Sequence, residues 1–201
     1  MKLSEVYFSI TILGALLSTG VAGAAIQNLH VNSGSTKFLA IGRPSLLKIH
    51  GEGAGPKGEL TIKDNVVEGQ LEVDLTTFKT GVDMRDDHMK NKYLEVAKFP
   101  KAILTVKGLK MPPTDQLPKE VPFEGTLSLH GETQAIKDGK VQLAKSGDKI
   151  TFTAKFQTNI TGHKIDIPSY AGVRVAETID VEVQSEAVMA RAPGMKEAAN
   201  K

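Results

Sequence analysis

The 201-residue sequence contains no cysteine and no tryptophan, and aromatic residues make up only 5% of it. Without cysteine the chain forms no disulfide and has no acceptor for the lipid of a lipoprotein. The scarcity of aromatic residues predicts an interior of Leu, Val and Ile with a few Phe. An excess of charge of one sign is also lacking, because the formal net charge is only +2. Such a small and dispersed charge excludes nucleic acid as the expected partner.

The N-terminal residues have the layout of a secretory signal peptide. Lys2 precedes an apolar run from Val6 to Leu17, and small residues follow up to Ala24. The apolar run is shorter than the roughly 18 residues that a membrane-spanning helix needs. We therefore predict a cleaved signal peptide at residues 1–24. Because Glu5 offsets the charge of Lys2, retention of this segment as a membrane anchor stays open.

Several segments of the remaining chain alternate apolar and polar residues with a period of two, and none between residues 25 and 190 has a sustained helical period. The clearest apolar sets are Leu71, Val73 and Leu75; Leu127 and Leu129; Ile150, Phe152, Ala154 and Phe156; and Ile179, Val181 and Val183. This pattern predicts antiparallel strands with one buried face, in a barrel or a sandwich. The sequence thus predicts one all-β domain at 25–188, followed by a flexible C-terminal tail at 189–201.

Turn residues separate the predicted strands, and one charged segment interrupts them. Turns are expected at 51–58, 63–65, 111–118, 137–139 and 146–148, where Gly, Pro, Asn and Asp concentrate. The segment 80–94 is short and charged, with acidic residues early and Lys90 and Lys92 late. We predict a short connecting helix here, with Asp83 as its N-cap, lying over one end of the barrel.

Two strings in the chain resemble the motifs of the YceI-like family. Residues 76–106 contain an Arg-Asp-x-His element and a Phe-Pro strand start, formed by Arg85, Asp86, His88, Phe99 and Pro100. Residues 121–136 resemble that family's strand, His-Gly-x-Thr hairpin and return strand. A looser match covers residues 37–51.

The resemblance implies a fold and a function. The fold would be a single antiparallel, lipocalin-like β-barrel of about eight strands, exported to the periplasm, with secretion as the alternative. Its tunnel would bind a polyisoprenoid or another long-chain amphiphilic lipid, with no enzymatic activity and no cofactor. Transient membrane contact and a homodimer stay open. The main alternative is a filled barrel that acts as a periplasmic structural, stress or protein-interaction module, and an enzyme acting on a lipid comes third.

The inward apolar positions of the strands are the candidate ligand contacts. They are Phe38, Leu71, Val73, Leu75, Phe123, Leu127, Leu129, Phe152, Phe156, Val181 and Val183. Arg85 and His88 are candidate contacts to a lipid head group, although a loop cap or a surface ion pair is the simpler explanation for Arg85. The five His residues lie on separate segments without metal-ligand spacing, so no metal site is expected. Ser128 and His130 share strand parity but have no visible third group for catalysis.

Overall fold

The computed structural model of the protein describes residues 26–44, 47–147, 149–170 and 172–189. The predicted signal peptide at 1–24 and, apart from Met189, the predicted tail lie outside these residues. Met189 itself is the last residue of a strand rather than part of the tail.

Strands account for most of the described chain. They are β1 (Gln27–Val31), β2 (Ser35–Arg43), β3 (Lys48–Ala54), β4 (Lys57–Lys63), β5 (Val66–Asp74), β6 (Lys101–Lys110), β7 (Lys119–Leu129), β8 (Glu132–Ser146), β9 (Lys149–Asn159), β10 (Ser169–Tyr170), β11 (Val173–Val175) and β12 (Thr178–Met189). The helical segments are α1 (Asp83–Asp87), a π-helical turn (His88–Tyr93) and single 3₁₀ turns at Leu75–Thr77, Thr114–Gln116 and Thr161–His163.

The strands form a closed antiparallel barrel of eight strands, as predicted. β5 to β9 pair in sequence order, and β9 pairs with β12. β12 then pairs with β2 at its beginning and with β1 at its end. β1 and β2 together act as one long bent strand, and β3 and β4 act as another, because β1 pairs with β4 and β2 pairs with β3. β4 closes the ring by pairing with β5.

The bend in these two long strands depends on glycine. Gly34, between β1 and β2, has a φ of +114°. The Gly55 N–H donates a hydrogen bond to the carbonyl oxygen of Gly34 at 3.0 Å. A Cβ atom on Gly34 would lie 2.0 Å from the Gln184 carbonyl oxygen, and one on Gly55 would lie 2.4 Å from the Gly34 carbonyl carbon. Only glycine therefore lets the two strands cross the adjacent backbone this closely.

The turns predicted at 63–65, 111–118 and 146–148 separate strands as expected, whereas strands occupy most of 51–58, with only Gly55 and Pro56 between β3 and β4. The Asp64-Asn65 turn between β4 and β5 has positive φ at both residues, as a tight two-residue hairpin requires. The turn predicted at 137–139 is wrong, since β8 runs straight through it. Phe123 pairs with Gly139 and Gly125 with Ile136, so an extra residue in β8 forms a β-bulge. A bulge uses the same polar and glycine residues as a turn but leaves the strand continuous.

The predicted connecting helix is present, but its start differs from the prediction. Asp83 is the first helical residue, and Val82 occupies the N-cap position without a side-chain hydrogen bond. Asp86 closes the loop instead, because its carboxylate accepts hydrogen bonds from the main-chain N–H and the hydroxyl of Thr80. In the described part of the chain, no helix has the length and apolar character of a transmembrane segment.

The interior of the barrel divides into two halves. Leu71, Val67, Phe123, Leu143 and Phe152 pack with the other inward residues of one end into a continuous core, and we call this end the filled half. At the other end, beneath α1, a smaller cluster of Ala40, Ile160, Ile165 and Ile179 borders an open space. We call this end the hollow half.

Candidate ligand-binding cavity

The hollow half contains a cavity of about 670 Å³. Its wall is formed by the inward side chains at one end of β2, β5, β6, β7, β9 and β12, together with α1, the π-helical turn and β11. Most of these side chains are aliphatic or aromatic. The size is in the range of pockets that bind one small or medium-sized ligand.

The structure brings most of the predicted contact residues to this wall. Those that line it are Phe38, Val73, Leu75, Leu127, Leu129, Phe156, Val181 and Val183. Leu71, Phe123 and Phe152 have the predicted inward orientation but lie in the filled half, away from the cavity. The contribution of each residue to ligand binding stays a prediction.

The floor of the cavity is aromatic. Phe156 lines the cavity and meets Phe123 of the filled half edge-on, with ring centroids 6.2 Å apart. Higher on the wall, the Phe38 ring lies directly over Gly51 of β3, and a Cβ atom there would be 2.1 Å from the ring. Phe78 lies over Gly53 in the same way. These glycines let both rings pack directly against the backbone of β3.

The mouth of the cavity is formed by helical residues that sequence periodicity could not assign to it. Met84, Met89, Tyr93 and Leu94 contribute apolar surface there, beside Arg85 and His88. His88 is exposed and Arg85 is half-buried.

Hydrogen bonds to Thr80 hold the Arg85 guanidinium in place. Nε donates to the Thr80 hydroxyl at 2.7 Å, and Nη2 donates to the Thr80 carbonyl oxygen at 2.9 Å. The predicted head-group candidate is therefore also a residue that stabilises the loop before α1.

His130 and His163 come together beside the cavity, which the sequence did not predict. His163 is fully buried, with Nδ1 3.0 Å from the Glu132 carbonyl oxygen and Nε2 2.9 Å from the Thr158 hydroxyl. A carbonyl oxygen only accepts, so Nδ1 carries the proton and Nε2 accepts from Thr158. Burial lowers the pKa of His163 below its usual 6.5. The ring is thus held neutral behind the wall formed by Thr158, Ile160 and Ile165.

His130 joins two loops at this end of the barrel. It lies in the β7–β8 turn with a φ of 52°, not on the outer strand face as its parity with Ser128 suggested. Nδ1 donates to the His163 carbonyl oxygen at 3.1 Å, and Nε2 lies 2.9 Å from the Glu95 carboxylate. A hydrogen bond from Lys98 and, to a smaller extent, one from His130 lower the pKa of Glu95. Ser128 hydrogen bonds to Thr133 instead of to His130.

The residues that form this barrel and cavity also carry the evidence for family membership. Residues 30–187 match the YceI-like domain. The chain belongs to the YceI-like family. Because the matched residues run from β1 to β12, the match includes every barrel strand that lines the cavity.

Solved structures of other proteins have a similar fold. The polyisoprenoid-binding domain from Saccharophagus degradans superposes with a TM-score of 0.60 at 16% identity, covering 83% of this chain and 99% of that one. BcnA from Burkholderia cenocepacia superposes with a TM-score of 0.61 at 14% identity, covering 76% of this chain and 96% of that one. No curated protein matches the sequence. At these identities the similarity establishes the YceI-like fold alone.

Several wall residues of this YceI-like barrel escaped the sequence analysis for different reasons. Ala102 and Leu104 alternate along β6 and could have been found by the same period-two pattern. Ile165, Pro168 and Val173 lie in a loop or a short strand, where no period exists to reveal them. Only the tertiary structure places those segments over the barrel end.

The described residues contain no group of three or more His, Asp or Glu side chains arranged to bind a metal ion.

Proposed function

We propose that this YceI-like chain binds a long-chain apolar or amphiphilic lipid, such as a polyisoprenoid, inside the hollow half of the barrel and carries it in the periplasm. The observation that carries the proposal is the cavity of about 670 Å³ with its predominantly apolar wall. Two further facts support it. The chain belongs to the YceI-like family, and one protein of similar fold is described as a polyisoprenoid-binding domain.

Desolvation alone supplies the driving force for such binding. Each CH₂ group that moves from water into the cavity contributes about 0.8 kcal/mol. Ordering the ligand and the mouth opposes this gain, so the net affinity is smaller than the sum. Because the wall is largely preformed, the protein loses little conformational freedom when a chain enters.

We infer a binding role rather than catalysis. A hydroxyl and an imidazole do meet at the wall, at Thr158 and His163, in a geometry that resembles part of a catalytic triad. The His163 Nδ1, however, donates to a main-chain carbonyl, which stabilises an imidazolium far less than the carboxylate of a triad does. Full burial further disfavours the charged ring. The pair is better explained as the hydrogen bond that holds the loop after β9.

Native mass spectrometry tests the proposal. The full chain, expressed with its N-terminal segment and purified from the periplasm, should carry a long-chain amphiphile that extraction identifies, and the delipidated protein should take up a prenyl lipid. Val181→Trp should reduce uptake by at least about tenfold because the indole fills space beside Phe38. Lys155→Trp places the same side chain on the outer face of the neighbouring strand and should bind as the wild type does. A wild-type protein that carries no amphiphile and takes up none would refute the proposal.

A further inference from the structure

The basic side chains of the cavity wall lie together at its mouth. They are Arg85, His88 and Lys92, and all three belong to α1 and the π-helical turn that follows it. Among the residues that the structure describes, no Asp or Glu lines the cavity. The mouth is therefore a basic rim above an apolar pocket, although the chain as a whole carries a net charge of only +2.

Arg85 is the half-buried member of this rim, and its guanidinium is held in position before any ligand arrives. Thr80 accepts the hydrogen bonds from Nε and Nη2. This leaves Nη1 without a hydrogen-bond partner among the described residues. A fixed guanidinium with a free edge is suited to bind a carboxylate or a phosphate, since it loses little entropy when the ligand binds.

The neighbouring acidic residue, Asp86, does not pair directly with Arg85. The Asp86 carboxylate accepts hydrogen bonds from the N–H and the hydroxyl of Thr80 and does not line the cavity. None of the ion pairs in the described chain includes Arg85 or Lys92. Thr80 thus links Arg85 and Asp86 while keeping the carboxylate away from the mouth.

We propose that the cavity selects amphiphiles with an anionic head, a carboxylate or a phosphate, which Arg85 binds with Lys92 and His88 at the rim while the chain enters the hollow half. This inference rests on the proposed lipid-binding function and adds the class of head group. A neutral head of similar size would leave the Arg85 Nη1 edge without an anionic partner. The apolar part of the ligand would bind equally in both cases.

A pair of ligands with the same chain tests the selection. Delipidated protein is titrated calorimetrically at low salt and neutral pH with hexadecanoic acid and with hexadecan-1-ol. We expect the acid to bind about tenfold more tightly, which is the size of effect that a charge-assisted hydrogen bond at a half-exposed site gives. Arg85→Gln should abolish this preference, so that the acid and the alcohol bind the variant with similar affinity. Lys107→Gln removes one charge from the outer face of β6 and should keep the preference.

The outcomes separate the two proposals. If the acid and the alcohol bind equally to the wild type, or if Arg85→Gln keeps the preference, the head-group selection is wrong while lipid binding stands. If neither ligand binds, the lipid-binding function itself fails, and this inference fails with it. Inorganic phosphate alone should bind at least a hundredfold more weakly than hexadecyl phosphate. Equal affinity for these two would make the rim a general anion site and overturn the assignment to a lipid head.

Discussion

The two halves of the barrel are built from the same strands with the same inward apolar parity, yet one is packed and the other is hollow. In the filled half, the inward side chains form one continuous buried cluster that includes Phe123, Phe152 and Leu143. In the hollow half, inward side chains such as Phe38, Leu129 and Val181 border an open space. Identical periodicity therefore produces either a core or a cavity, depending on whether the inward side chains meet across the barrel.

The two ends also differ in what covers them. At the filled half, Met111 and Leu117 of the β6–β7 loop pack against the core. Over the hollow half lie α1, the π-helical turn, the loop after β9 and the β10–β11 hairpin, which pairs with the end of β2. The hollow half therefore depends on short helical turns, a loop and a small hairpin for its cover.

Substituting an inward side chain by arginine should give the largest difference in stability between variants of the two halves. Leu71→Arg places a guanidinium in the filled half, where no partner is available, and should cost several kcal/mol, which is comparable to the whole stability of a domain. Leu129→Arg, on the wall near the mouth, should leave the protein folded, because the long side chain can extend toward solvent. Circular dichroism and urea unfolding of both variants measure this. Equal loss of structure in the two variants would mean that the hollow half is packed in solution.

A smaller contrast comes from the two glycines that lie under phenylalanine rings. Gly139→Ala would place a Cβ atom 2.6 Å from the Phe123 ring, and Gly51→Ala would place one 2.1 Å from the Phe38 ring. Phe123 has no free space, so Gly139→Ala should lower the free energy of unfolding by about 1–3 kcal/mol. Phe38 can swing into the cavity, so Gly51→Ala should change stability by less than about 1 kcal/mol but weaken ligand binding.

Urea unfolding and ligand titration of the two alanine variants, compared with the wild type, provide the measurement. If Gly51→Ala were the more destabilising substitution, the Phe38 ring would have no room to move, and the proposed open space beside it would be wrong.

The smallest expected effect is a pH dependence at the hollow end. The pKa of His163 is lowered in the folded protein by burial, so the unfolded chain binds the proton more tightly. The contribution of His163 to the free energy of unfolding is thus fully present above about pH 6.5 and is lost as the pH falls through the pKa of the folded state. The loss is at most about 1.4 kcal/mol per pH unit. Urea unfolding at pH 7.5 and pH 5.5 should show this loss in the wild type.

His163→Gln should flatten this part of the pH profile, whereas His50→Gln, at an exposed position on β3, should leave it unchanged. An unchanged profile in His163→Gln would assign the pH dependence to other groups. Amide exchange at residues 160–165, corrected for the intrinsic effect of pH, would place any loss at the hollow end rather than in the filled half.

The strands and most hairpins could be read from the sequence because their signals are local. Val181 and Val183 alternate with charged residues, and Asp64-Asn65 is typical of a tight turn. The position of the His130–His163 contact could not be read, because the two residues are 33 positions apart and meet only when the β7–β8 turn and the loop after β9 come together. The role of Thr80 in holding Arg85 was hidden for a similar reason, since a charged loop sequence does not reveal which hydrogen bonds close it.

A cysteine-free all-β domain, the inward parity of its strands, a short helix between β5 and β6 and a resemblance to the YceI-like family could all be predicted from local sequence patterns. The location of the empty part of the interior could not, because it depends on packing in three dimensions. A period of two tells which side chains point inward, but the space between them depends on what faces them across the barrel. Phe152 and Phe156 show this most directly: they share one strand and one face, yet Phe152 packs in the filled half and Phe156 forms the floor of the cavity.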